Sequence, residues 1–445
     1  MGQRFLRFCD RFGSHFRRRT RTVETTVKHY LRGLLQAETK NMERMEEVIP
    51  EAAHQALPHM LSESAWEERA VLDQVAREAN RHVGGHSDSS LIIDESGCPK
   101  KGIQSVGVAR QWCGQLGKVE NCQVGVFAAL GRGAEATLID ERLFLPESWT
   151  ADPKRCQAAG IPPEQRGFTR KHDLALAMIT HARQQGIGFA WVGFDGFYGS
   201  DPAFLRALDD QGEVFVGDVH RDQRIYLDDP QPCVPPAATP RGRPPTRRQA
   251  HTPALRVDRW AHQQPAAAWQ RVTVRDGTKG PLQVDILHRR VWLWDGDEPQ
   301  ARQWHVIVRR EVATPTEIKY SLSKAVADTS APRLAFMQGQ RYWVERTLQQ
   351  GKQDVGLGDY QVRSWRGWHH HMALVMMTML FTLEERRLHQ QTHPLLSGTD
   401  IRALLSHFLP RRDTTLKEVL RQMEVRHRKR QAAIDSAHRR KPLKE

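Results

Sequence analysis

The sequence predicts an α/β fold: a mixed sheet with helices on its faces and helical regions at both chain ends. Three observations predict it. Short apolar runs at residues 91–94, 189–195 and 213–219 are interleaved with helical spacing at 172–185 and 202–210. Residues 105–113 and 119–130 are β-rich and separated by Gly114 and Gly117, which reads as a hairpin. The stretches before residue 85 and after residue 331 repeat apolar residues every three or four positions.

Taken in order, residues 1–85 form a helical region assigned to DNA binding. Phe5, Phe8, Phe12 and Phe16 stand at helical spacing among Arg4, Arg7, Arg11 and Arg17. That pattern suits a helix packed on its own protein, and a membrane-surface helix or organellar presequence would share it. Met42, Met45 and Ile49 share one face, Val71, Val75 and Ala79 another, and Ser64 with Glu67 reads as a capping box. A Gly-, His- and Ser-rich boundary follows at 80–90. Residues 86–220 are the first part of the sheet-bearing core. Residues 221–310 hold a Pro/Arg-rich linker (230–253) and then strands at 282–287, 290–294 and 304–310, expected as a small inserted module. Residues 311–386 complete the core with helices at 331–345 and 369–386. Residues 387–445 are a basic helical tail.

Composition narrows the function. The 445 residues carry 66 Lys and Arg against 52 Asp and Glu, a formal charge of +14. Such an excess suits phosphate neutralisation on a nucleic acid. The six cysteines form no C-x-x-C pair, so neither a zinc ribbon nor a disulfide framework is expected, and reduced cytoplasmic thiols are. The most apolar run, residues 372–381, is about half the ~20 residues a membrane span needs.

Three acidic residues have contexts suited to a divalent cation. Asp94 ends Ser-Leu-Ile-Ile-Asp, Asp195 ends Trp-Val-Gly-Phe-Asp, and Glu345 lies in the helical Arg-Tyr-Trp-Val-Glu-Arg-Thr-Leu. Both aspartates are expected at C-terminal strand ends, where open α/β sheets place their sites. An oxygen-only set of this kind is what Mg²⁺ prefers. Arg341, four residues before Glu345, and Lys352, seven after, share its helical face. An ordinary salt-bridged surface helix has the same spacing, and Asp94 and Asp195 read singly as turn residues.

At these residues the chain resembles the DDE transposases of bacterial insertion sequences. It is most similar to the insertion sequence 701 type of the cut-and-paste branch, whose core is interrupted by a β-rich insertion before the Glu. The resemblance is densest at 93–102, 107–126, 193–199 and 356–368. It implies an RNase H-like fold with Asp94, Asp195 and Glu345 as catalytic metal ligands. It also implies two Mg²⁺ ions per site, with Mn²⁺ as a substitute, about 4 Å apart across the scissile phosphate. Its Glu-helix signature is Tyr, two residues, Arg, three residues, Glu, six residues, Lys. Arg341, Glu345 and Lys352 match, while Gln338 stands at the Tyr position and Tyr342 is the nearby aromatic. The family implies DNA ends and target DNA as partners, a homodimer in the synaptic complex, no membrane, and a place in the bacterial cytoplasm at the nucleoid.

Secondary signals remain. Arg241-Gly242-Arg243-Pro244 resembles an AT-hook core, and a merely basic linker would read the same. His369, His370 and His371 fan around a helix, which suits packing or DNA contact better than one metal. Trp365 and Trp368 suit core packing or stacking on an extruded base. A DNA-binding regulator that does not cut, and an RNase H-like nuclease that does not join, stay open beside the transposase.

Overall fold

The computed structural model describes residues 1–18, 21–52, 55–236, 245–277 and 280–440. Two compact units result. One comprises Met1–Glu67, Lys352–Val362 and Arg366–Glu445, and the other Glu68–Gly351 with Arg363–Trp365.

The second unit carries a ten-stranded sheet among the described residues. β1 (Ser89–Pro99), β2 (Ala109–Cys113), β3 (Lys118–Arg132) and β4 (Glu135–Leu143) are antiparallel. β3 pairs β1 along one edge, while β2 and β4 share its other edge. β5 (Trp191–Phe194) then runs parallel to β1, and β6 (Phe215–Val219) parallel to β5. All four β5 residues are buried, as expected for a parallel strand covered on both faces. The helices Lys171–Gln184 and Pro202–Asp210 precede β5 and β6. The antiparallel β1, β3 and β4 followed by the parallel β5 and β6 form the RNase H-like core that the resemblance implies, with β2 as an added strand on the β3 edge.

The insertion is not a separate module. β7 (Gln270–Gly277), β8 (Gly280–Leu293), β9 (Arg302–Glu311) and β10 (Ile318–Ser323) extend the same sheet, and β10 pairs β6 through Ser321↔Asp218. The two strands expected at 282–287 and 290–294 are one. The cause is a shared core: Val272, Val284, Ile286 and Ile307 bury their side chains with Trp191 of β5 and Leu334 of the helix Ala331–Gly339.

Two glycines let the chain after Asp195 lie against β6. A Cβ on Gly199 would stand 2.0 Å from the Asp218 carbonyl oxygen, and one on Gly217 2.0 Å from the Phe194 ring. Gly199→Ala is therefore expected to destabilise the protein by about 1–3 kcal/mol, since the obstacle is backbone that cannot rotate away. An unchanged denaturation midpoint would refute this close approach.

The helical unit bears out the aromatic pattern at the N-terminus. Phe5, Phe8, Phe12 and Phe16 are all buried, and Phe5 and Phe8 meet Phe381 with ring centroids 5.2 and 5.3 Å apart. Residues 372–381 lie inside the helix Trp365–Leu388, and His369, His370 and His371 are all buried in it. Trp368 is core, its Nε1 donating to the Tyr360 hydroxyl at 3.0 Å. Ser64 serves the preceding helix instead of capping the next, with its hydroxyl donating to the His59 carbonyl at 3.3 Å. In the C-terminal helix Leu416–Arg440, Arg426 pairs with Glu47 at 2.6 Å and Lys429 with Glu46 at 3.3 Å, so part of the tail's charge is spent inside its own unit. Among the described residues no helix is long and apolar enough to cross a membrane.

Candidate active site

Asp94 does not end its strand. β1 continues to Pro99 because β3 goes on pairing with it, whereas the parallel ladder to β5 stops at Ile92↔Gly193. Asp94 thus sits where β1 loses its parallel neighbour, beside the end of β5. Asp195 follows β5 directly and caps the short helix Gly196–Gly199. Its Oδ1 accepts from the Phe197 and Tyr198 amides at 3.0 and 3.4 Å, which fixes the carboxylate on the Asp94 side of the sheet end.

The two charges meet in a place short of water. The Asp94 side chain is 14% exposed. Burial, and next the charge of Asp195, push its carboxyl up to about 7, while Arg341 pulls the other way and Glu345 adds to the rise. The Asp94 carboxylate also accepts from the Glu95 amide at 2.8 Å.

The Glu helix differs from the expected one. Residues 331–345 are not continuous: one helix ends at Gly339 and the next is Arg341–Val355. No proline marks the break. Gly339 is needed because a Cβ there would come within 2.5 Å of Val274 on β7. The break separates the two positions considered for the missing Tyr. Gln338 is buried and donates from Nε2 to the Ser321 hydroxyl at 2.6 Å. Tyr342 is exposed, with the Arg275 guanidinium 3.7 Å from its ring centroid.

Arg341 opens the second helix and gathers the acids around itself. It lies 2.8 Å from Glu345, 3.2 Å from Asp218 and 4.0 Å from Asp94. Asp94, Asp195, Glu345 and Arg341 are therefore brought together. Lys352 lies further along the same helix, where the chain passes into the other compact unit. Arg241 and Arg243 lie outside the described residues.

Asp218 was missed by sequence reasoning, although Phe-Val-Gly-Asp at 215–218 repeats the apolar-run-then-Asp signal of Asp94 and Asp195. It is held from behind: Ser321 donates to its Oδ1 at 2.6 Å and is itself the acceptor of Gln338.

The donor set suits a hard cation. It is oxygen-only, and two of its carboxylates, both half-buried, repel each other, a repulsion that a divalent ion would remove. Among the described residues no three acidic, His or Cys side chains are already grouped as a metal cluster, and the Glu345 carboxylate lies 2.8 Å from Arg341.

Comparison with known proteins gives the family. The family described as DDE superfamily endonuclease matches residues 11–281, a span that includes Asp94 and Asp195 and stops before Glu345. The chain is also 23% identical over 324 residues, 73% of its length and 72% of the relative's, to a protein of Microchaete diplosiphon named as a probable transposase for insertion sequence element IS701. With more than half of its residues matched, the chain belongs to the DDE superfamily of endonucleases.

Proposed function

We propose that this chain is a transposase of a bacterial insertion sequence. It binds the terminal inverted repeats of its element, cuts the DNA there and joins the ends to a target. The observation that carries the reading is the half-buried Asp94–Asp195 pair at the meeting of β1 and β5, with Glu345 linked to it through Arg341. The name of the IS701-type relative supports it.

Asp94, Asp195 and Glu345 would hold the metal, two Mg²⁺ ions with Mn²⁺ as a substitute. When bound, the metal supplies Lewis-acid polarisation of the scissile phosphate and makes a water or 3′-hydroxyl a better nucleophile. The protein's own part is placement. The Phe197 and Tyr198 amides fix Asp195, and the chain Gln338–Ser321–Asp218 fixes the guanidinium of Arg341. Arg341 thereby offers a positive charge next to the reacting phosphodiester. Tyr342, Lys352, Arg241 and Arg243 are the proposed DNA contacts, with the helical terminal regions recognising the ends of the element. Pairing of two ends requires two copies of the chain, and the nucleoid is the proposed location.

The test is incubation of the purified full chain with Mg²⁺ and a duplex carrying the DNA that flanks its gene, plus a target plasmid. Cleavage at the repeat ends and joining of the released 3′ ends are expected. Asp195→Asn and Glu345→Gln should each lower both by roughly 10³-fold, the scale of several kcal/mol of lost charge stabilisation. Binding without cutting by the wild type would make the chain a regulator, and cutting without joining a nuclease.

A further inference from the structure

Beside the acidic pair, the insertion strands and the Glu helix enclose a pocket of about 90 Å³ whose walls carry more positive charge than the pocket's acids balance. Arg275 of β7, Arg309 of β9 and Lys319 of β10 line it together with Arg341. Its carboxylates are Asp218, Glu311 and Glu345. Two of these, Asp218 and Glu345, are taken by Arg341 at 3.2 and 2.8 Å. Four cations thus stand against three carboxylates; the charges of Asp218 and Glu311 both act on Arg309, and Glu311 lies 3.9 Å from it, beyond a hydrogen bond.

Three independent details show that this surplus is built in. Arg309 is 6% exposed, yet its Nε is buried without a hydrogen-bond partner. Leaving a buried charged donor unsatisfied is costly, and such groups are normally paired. Arg309 and Lys319 are direct cross-strand partners in the β9–β10 register, so two like charges stand side by side on one face. That arrangement opposes strand pairing unless an anion lies between the charges. Arg275 has no carboxylate partner among the described residues and rests instead on the Tyr342 ring. Burial pulls the guanidiniums of both Arg275 and Arg309 below their ordinary range.

We infer that this pocket is a binding site for one backbone phosphate of the DNA strand, placed by the insertion next to the reacting phosphodiester. A phosphate group fits the volume, and the planar forks of Arg309 and Arg275 can each grip two of its oxygens. Arg341 lines the pocket and also pairs with Glu345 and Asp94, so it spans the phosphate held here and the one being cut. The inference rests on the transposase reading for its DNA, but not on cleavage. The four extra strands therefore set the register of the strand in the site.

The test uses the full chain without divalent metal, so that binding is read apart from reaction. The probe is a duplex of the gene's flanking repeat, made as a set with a single neutral methylphosphonate at each position near the repeat end. One position is expected to weaken wild-type binding roughly 10- to 100-fold. Arg309→Gln should lose about the same, and the substituted duplex should then cost that variant nothing further. The slope of log affinity against log salt should fall by about one. Arg309→Lys should restore part of the binding. Because Arg309 is buried, Arg275→Gln and Lys319→Gln serve as variants at the rim, and each should show the same loss of sensitivity at the same position. Variants that keep the wild-type melting temperature and the full methylphosphonate effect would overturn the inference. So would inorganic phosphate raising the melting temperature of the wild type but not of Arg309→Gln while DNA binding by the two is equal, since the pocket would then take a free anion. Wild type that binds and shows the position effect but never cleaves would overturn the proposed reaction and leave this site standing.

Discussion

Asp94→Asn is expected to abolish cleavage and at the same time to raise the melting temperature of the metal-free protein at pH 8. The carboxyl is lifted from 3.8 to about 7, first by burial and then by the charge of Asp195. A raised carboxyl binds its proton in the folded state while the unfolded chain has already lost it. Stability from this group therefore falls as pH rises from about 4 to about 7, and the whole penalty is present above 7. At 1.36 kcal/mol per pH unit the penalty is about 4 kcal/mol. Asparagine keeps the shape and removes the charge, so the melting temperature should rise by on the order of 5–10 °C. Mg²⁺ should give the wild type a comparable rise and the variant little. A variant that melts at or below the wild-type temperature at pH 8 would show that Asp94 and Asp195 do not strain the fold. Loss of activity together with a gain in stability is what separates a charge-crowded site from a structural ion pair, whose removal lowers both.

The second large effect has the opposite sign and belongs to the helical unit. His370 is fully buried, with its ring stacked on Trp66 at 3.7 Å between centroids. Its Nδ1 and Nε2 face the carbonyl oxygens of Leu61 and Trp66 at 2.9 and 3.0 Å. Two acceptors would favour the protonated ring, yet burial outweighs them and pulls the imidazole down to about 4. The unfolded chain takes up this proton from 6.5 downward and the folded one only near 4. Stability from His370 is thus complete above pH 6.5 and is lost as pH falls from 6.5 to 4, by about 3 kcal/mol in all. The difference in unfolding free energy between the wild type and His370→Gln should shrink by that amount between pH 7.5 and pH 4. A difference independent of pH would mean that the ring is already protonated in the fold. Mild acid therefore relieves the catalytic unit through Asp94 while it loosens the helical unit through His370.

Much of this was legible in the residues. The strand-end context of Asp195, the hairpin, the buried phenylalanines and the basic balance follow from local pattern, because each depends on neighbours within one element, whereas Asp94 lies inside a strand that runs on to Pro99. What escaped depends on partners far along the chain. β4, Glu-Ala-Thr-Leu-Ile-Asp-Glu-Arg-Leu, lies outside the expected strands, and its Asp140 and Glu141 are buried. Asp140 is held below the usual carboxylate range despite its burial by Arg69 at 2.7 Å and Arg142 at 2.6 Å. No local rule announces a buried charge whose partner Arg69 is 71 residues away. The helix break before Arg341 was hidden for a like reason, since the Gly339 beside it is matched to Val274 on β7. The role of Asp218 required knowing that β10 lies beside β6, which places Ser321 at its back.

Because β10 covers β6, the strands β7–β10 also protect the sheet from its own kind. Without the four added strands, β6 would present unsatisfied amides and carbonyls along the apolar Phe215–Val219, an open template for another chain. A shortened form of this protein is expected to aggregate, which gives β7–β10 a role in solubility.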